Sequence, residues 1–135
     1  MLRHERLFSA SHVKWVGELG GPAKTAAIRD ASVFVYTYAR TYVEAGAAVF
    51  GESLRAGTPM AALTWREGTC AEAALCDQTG VIAVAHPDQS DETASELLAL
   101  AIEQAEDLNH TEVQEIGMHR FDPARHFTAM STRSC

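Results

Sequence analysis

Several things are scarce in this chain of 135 residues, and each scarcity narrows what it can be. Cysteine occurs three times, at Cys70, Cys76 and Cys135, an odd count without a C-x-x-C pair. Neither a disulfide framework nor a zinc knuckle is indicated, and a reducing cytoplasm fits best. The six histidines are scattered and never take an H-E-x-x-H or other ligand spacing, so no metal site is expected. Basic residues are also few. Eleven Lys plus Arg stand against 18 Asp plus Glu, a formal charge of -7. Without a Lys/Arg cluster, nucleic acid is not expected as the main partner, because backbone binding is built on basic stripes. Long apolar runs are missing as well. Ser32 to Tyr36 and Met60 to Leu63 fall far below the roughly 20 residues of a membrane helix. Met1 to Glu5 carries no apolar signal-peptide core. The expectation is a cytoplasmic chain without a membrane span.

What is present suits folding. Hydrophobic residues make up 47% of the chain and charged residues 21%, the balance of a globular protein, and the length is that of one domain over residues 1–135. Short apolar runs alternate with helical patterns, which is the signature of βαβ units. The candidate strands are His12 to Val16, Ser32 to Tyr36, Met60 to Leu63 and Val81 to Val84. Each is nearly continuous in apolarity, as in strands covered on both faces. The predicted fold is therefore α/β, a Rossmann-like parallel sheet of about four strands with helices on both faces.

Helix signals lie between the strands. Gly20-Gly21-Pro22 places proline at the start of a helix over Ala23 to Arg29. Gly57 and Pro59 close a helix from Ala48 to Ala56. Thr69 and Glu72 form a capping box opening a helix to about Cys76. From Asp91, Ala94, Leu97, Leu98, Ala101, Ile102 and Ala105 recur at helical spacing, leaving Glu92, Glu96, Glu103 and Glu106 as a solvated face. Thr111 and Gln114 suggest another capping box, and Asp122-Pro123 a last helix holding Phe127 and Met130. Residues 131–135 are expected to fray.

Ligands of open parallel sheets bind beyond the carboxyl ends of the strands. The loop Thr37 to Ala47 lies there, with Glu44 followed by Ala45, Gly46, Ala47 and Ala48 and a helix start lacking a Ser, Thr or Asp cap. Bare backbone N–H groups at such a start favour an anion. In the following helix Val49, Phe50, Ser53 and Leu54 form the core stripe. Glu52 is left on another face, where its carboxylate is either a ligand-hydroxyl acceptor or simply a solvent-exposed helical Glu.

The stretch from Glu44 to Pro59 resembles the E-x7-E region of retaining glycosyltransferases of family 4, which have the GT-B fold. E-S-L-R-A-G-T-P stands here where the family has a second Glu followed by A-L-A-C-G-T-P. The likeness extends outward in the same order. Val13 to Leu19 resembles the family's V-x-F-x-G strand and turn, and Ala31 to Val35 the strand leading into the site. Met60 to Leu63 resembles P-V-V-A, Thr79-Gly80-Val81 resembles x-T-G-x-L-V, and Arg120-Phe121 with the residues to Met130 resembles R-F-S-x-x-x-M. The resemblance implies part of a donor-binding lobe and a half-site for a nucleotide-diphosphate sugar. By it Glu44 contacts the donor sugar and is the candidate catalytic residue. The backbone of Gly46, Ala47, Ala48 and Val49 holds the diphosphate, Glu52 binds ribose hydroxyls, and the turn from Gly17 to Leu19 lies by the base. No further cofactor is implied.

The chain departs from the family in two ways. The common Phe-Gly pair is replaced by Gly46-Ala47, with Phe50-Gly51 displaced toward the second Glu. The G-R-x-x-x-x-K unit, whose Arg and Lys neutralise the diphosphate, is not found, nor is the acceptor lobe. Without the first two strands of such a lobe, Ser32 to Tyr36 becomes an exposed edge needing cover. A homodimer, strand-swapped or not, or an N-terminal lobe supplied elsewhere, is the expected partner. Three functions are weighed. They are a glycosyltransferase-like nucleotide-sugar-binding domain, a non-catalytic remnant serving as a nucleotide-binding or protein-interaction module, and, last, a response-regulator-like module, for which the acidic cluster is missing.

Overall fold

The computed structural model describes residues 12–41 and 48–121. In chain order these form α1 (Gly21–Asp30), β1 (Phe34–Thr37), α2 (Ala48–Arg55), β2 (Met60–Thr64), α3 (Cys70–Ala74), β3 (Gly80–Val84), α4 (Asp91–Glu106) and α5 (His110–Arg120). The three strands make one parallel sheet in the order β1-β2-β3, with Phe34 opposite Met60 and Met60 opposite Gly80. Parallel neighbours need a crossover, and here α2 and α3 supply it. The fold is the predicted α/β class with three strands among the described residues in place of four.

The missing strand is the one expected over His12 to Val16. Residues 13–20 take no regular structure, and Trp15 and Val16 are 68% and 56% exposed. Strand preference reflects fit to a pleated, half-buried surface. None of the three described strands pairs with this segment.

β2 is buried along its whole length. Side chains alternate between faces in a strand, so both faces of the central strand are covered. α4 packs against β2 and β3. Its contact stripe contains the buried Ala94, Ala101 and Ala105, with Leu97, Leu98 and Ile102 half-buried, while Glu92, Glu96, Glu103 and Glu106 are exposed as the periodicity predicts. Small side chains on this stripe let the helix sit close to the sheet. The other large contact is between α2 and α5. A Cβ on Gly117 of α5 would lie 2.4 Å from the backbone carbon of Leu54 in α2, so the two helices touch backbone to backbone there. Leu54 and Val113 are fully buried beside this crossing.

Local signals explain most boundaries. Pro22 occupies the first turn of α1. Gly57, at φ 87, ends α2 with both bonds of a Schellman motif: Gly57 N–H donates to the Leu54 carbonyl and Thr58 N–H to that of Ser53. Ser53 Oγ donates to the Thr58 carbonyl at 2.8 Å, and Thr58 Oγ1 to that of Ile28 at 2.7 Å. These buried hydroxyls tie α1 to the turn that feeds β2.

The helix starts differ from expectation at α3 and α5. Thr69 flanks α3 without a side-chain cap bond; its partner Glu72 instead accepts from Gly68 N–H at 2.6 Å. α3 itself ends at Ala74, short of the expected Cys76. α4 is capped by Ser90, whose hydroxyl accepts from Thr93 N–H. α5 is capped by Asn109, which accepts from Glu112 N–H, and not by Thr111. Asn is the stronger N-cap, and one residue of helix precedes Thr111. The helix expected after Asp122-Pro123 and the frayed tail lie outside the described residues.

No helix among the described residues is long and apolar enough to cross a membrane.

Candidate functional site

The carboxyl ends of the three strands are where a parallel sheet offers a crevice, because the chain leaves each strand there and its loops diverge. Tyr38 and Arg40 follow β1, Trp65 follows β2, and residues 85–90 lead from β3 into α4. These loops are bound to one another through a single guanidinium. Arg40 Nη1 donates to the carbonyls of Pro87 and Gln89, both at 2.8 Å, and Nη2 to Asp91 Oδ1 at 2.6 Å. Its carbon lies 3.8 Å from the centroid of the Trp65 ring, and Trp65 Nε1 donates to the Tyr38 carbonyl at 2.9 Å. A planar guanidinium combines stacking with several directed donors in a way an ammonium cannot. Arg40 therefore clamps the ends of β1 and β2 to the start of α4. No spacing in the chain marks it; its one signal is a lone Arg just past a strand.

The clamp thus reaches across the strand ends from β1 to the start of α4 at the protein surface. On the β1 side aromatic packing continues, with the Tyr36 ring 5.2 Å from those of both Tyr38 and Phe50. Phe50 stands in the first turn of α2, so this packing sets the start of α2 against the end of β1. Two hydroxyls near the end of β2, Thr64 Oγ1 and Thr69 Oγ1, are buried without a hydrogen-bond partner.

The expected site residues are distributed unevenly over this frame. Glu44, Gly46 and Ala47 lie outside the described residues. Ala48 and Val49 open α2, the first exposed and the second half-buried, as the expected helix start requires. Glu52 points off the core stripe of Phe50, Ser53 and Leu54, as expected, but meets α1. Its Oε1 and Oε2 lie 3.1 and 3.0 Å from Lys24 Nζ. The two side chains are 30% and 41% exposed, so the pair lies at the rim of a groove of about 220 Å³ between α1, α2 and α5, lined also by Arg29, Arg55 and Gln114. Gly17 is exposed and Leu19 half-buried in the irregular segment before α1. The described contacts thus bring Glu52 together with Lys24, not with the Gly17–Leu19 turn.

One charged group is buried away from this region. Arg120, at the end of α5, is 5% exposed, and its Nη2 donates to the Ala73 carbonyl at 2.9 Å. Desolvation lowers its pKa from the ordinary arginine value. It fastens α5 to the end of α3 and so holds the α2–α5 layer onto the sheet. Among the described residues no three His, Cys, Asp or Glu side chains converge on a cation site.

The fold defines a Rossmann-like α/β protein with a parallel sheet flanked by helices. Compared with family models, curated proteins and solved structures, the chain matches none.

Proposed function

We propose that the chain is a nucleotide-sugar-binding domain resembling the donor lobe of family 4 retaining glycosyltransferases. The observation that carries the reading is the order of parts around α2. Strand β1 leads through the loop holding Glu44 to a helix opened by small residues, with Glu52 off its core stripe, and Gly57-Thr58-Pro59 turns the chain into β2. That is the arrangement the E-x7-E resemblance requires. Glu52 keeps partial access to solvent beside Lys24, so a ligand hydroxyl can share its carboxylate. In this reading Glu44 meets the sugar, and the α2 start from Gly46 to Val49 meets the diphosphate. Leaving-group stabilisation needs preorganised charge at the departing oxygens. With no G-R-x-x-x-x-K unit, sugar transfer depends on a second lobe or a second copy, in a cytoplasmic setting.

A specific observation favours the runner-up, a non-catalytic remnant serving as an interaction module. The two-pronged Lys24–Glu52 pair satisfies the carboxylate within the protein. Titration calorimetry with UDP-, GDP- and ADP-sugars separates the two readings. For a donor site, Glu52→Ala removes binding while Lys24→Ala, which only releases the carboxylate, retains it. No heat with any of these ligands, or equal losses in the two variants, refutes the donor site and leaves the remnant.

A further inference from the structure

A cleft of about 440 Å³ lies along the outer side of β3, away from the Glu52 groove. β3 ends the sheet order and pairs on one side only among the described residues. Met60 N–H donates to the Thr79 carbonyl and Ala85 N–H to the Thr64 carbonyl, so residues of odd number along this strand face β2. Backbone groups of successive strand residues point to opposite sides. Those of Ile82 and Val84 are therefore directed outward, together with the Gly80 carbonyl, the Gly80 N–H being taken by Cys76.

Natural edge strands are blunted with charge, proline or a bulge. β3 reads Gly-Val-Ile-Ala-Val and carries none of the first two, and its one-to-one register with β2 shows no bulge. The charge sits instead on the flanks of the cleft. Glu67, Glu72 and Asp77 line it, Gln104 of α4 adds a neutral amide, and no Lys or Arg is among the lining residues. Two copies brought edge to edge here would bring their carboxylates together, and like charges disfavour that pairing.

We infer that the outer edge of β3 accepts an extended, basic segment of another protein as an added strand. Backbone hydrogen bonds from Ile82 and Val84 hold the segment, and Lys or Arg side chains at alternate positions meet Glu67, Glu72 and Asp77. Strand addition divides its work in this way, the main chain giving affinity and alternate side chains specificity. The inference does not rest on nucleotide-sugar binding.

The experiment is amide hydrogen exchange by NMR on the full chain, with a short blocked peptide alternating Lys and Thr and its Glu/Thr counterpart. The lysine peptide is expected to slow exchange at Ile82 and Val84 by about tenfold or more, as local opening becomes coupled to its release. Protection should fade in high salt and disappear in the Glu67→Lys/Asp77→Lys variant, whose exposed sites leave folding intact. Unchanged exchange at those two amides overturns the proposal, as does equal protection by the glutamate peptide. Concentration-dependent protection without peptide assigns the edge to a second copy and overturns it too.

Discussion

Replacing Gly117 with alanine sets two principles against each other with opposite signs. By helix propensity the change should stabilise, since Gly costs about 0.8–1.0 kcal/mol relative to Ala in a helix interior. The crossing of α2 and α5 says otherwise. The new Cβ would lie 2.4 Å from Leu54 C, 2.5 Å from its carbonyl oxygen and 2.7 Å from Arg55 N. All three are backbone atoms that cannot swing aside. Carbon atoms rest about 3.5–4.0 Å apart, so the helices must part by about 1 Å, enough to forfeit a quarter to a half of each affected contact. Overpacking of this kind costs about 1–3 kcal/mol, and rigid backbone places it at the upper end. After the propensity gain, Gly117→Ala should lose about 2 kcal/mol. For a chain of this length that is a fall in Tm of roughly 6–10 °C, interpolated between the usual scalings for smaller and larger domains. Thermal and urea unfolding followed by circular dichroism measure it. Gly51→Ala is the internal control, because the three atoms nearest its Cβ all belong to the Phe121 side chain, the first at 3.1 Å, and none is backbone. That variant should stay within about 1 kcal/mol of the parent. A Gly117→Ala protein as stable as the parent, or more so, refutes the close crossing.

Other outcomes follow from the same contacts. Arg40→Ala should cost about 1–2 kcal/mol, the Asp91 pair adding little because that carboxylate is 79% exposed. It should also shift the emission of the buried Trp65 to the red; an unshifted spectrum with unchanged stability counts against the clamp. Gly57→Ala should cost about 1–2 kcal/mol in urea unfolding, because an L side chain is strained at φ 87; an unchanged midpoint would show that α2 can end without its left-handed residue.

The parts legible in the sequence were those set by local chemistry and by complete burial. Met60 to Leu63 reads as a strand because every residue is apolar, and β2 is indeed buried throughout. The stop at Gly57 is readable because few residues other than glycine serve there, and the alanine and leucine stripe of α4 because its period is helical. His12 to Val16 was misread for the complementary reason. Its apolar, β-branched content is real, but a strand exists only beside another, and sequence carries no record of which neighbour is present. The spacing of Thr111 to Gln114 fits a capping box, whereas the side chain that reaches the helix start belongs to Asn109. The site divides along the same line. That Glu52 leaves the core stripe follows from helical spacing. That Lys24 waits opposite it, 28 residues earlier, depends on how α1 lies against α2. The clamp of Arg40 on residues about 50 positions later was equally out of reach.

The central position of β2 also governs how this chain can assemble. Its partner residues on β1 and β3 lie some two dozen residues before it and twenty after it, as with Phe34, Met60 and Gly80. No pair of strands can therefore zip from a tight turn, and loop-closure entropy must be met before any ladder bond repays it. Nascent α2, ended by its own Schellman turn, is a local element that shortens the first of these searches. The order of events this favours is helix before sheet, with both ladders closing on β2 only once these separations are spanned, and the outer edge of β3 stays open after both have formed.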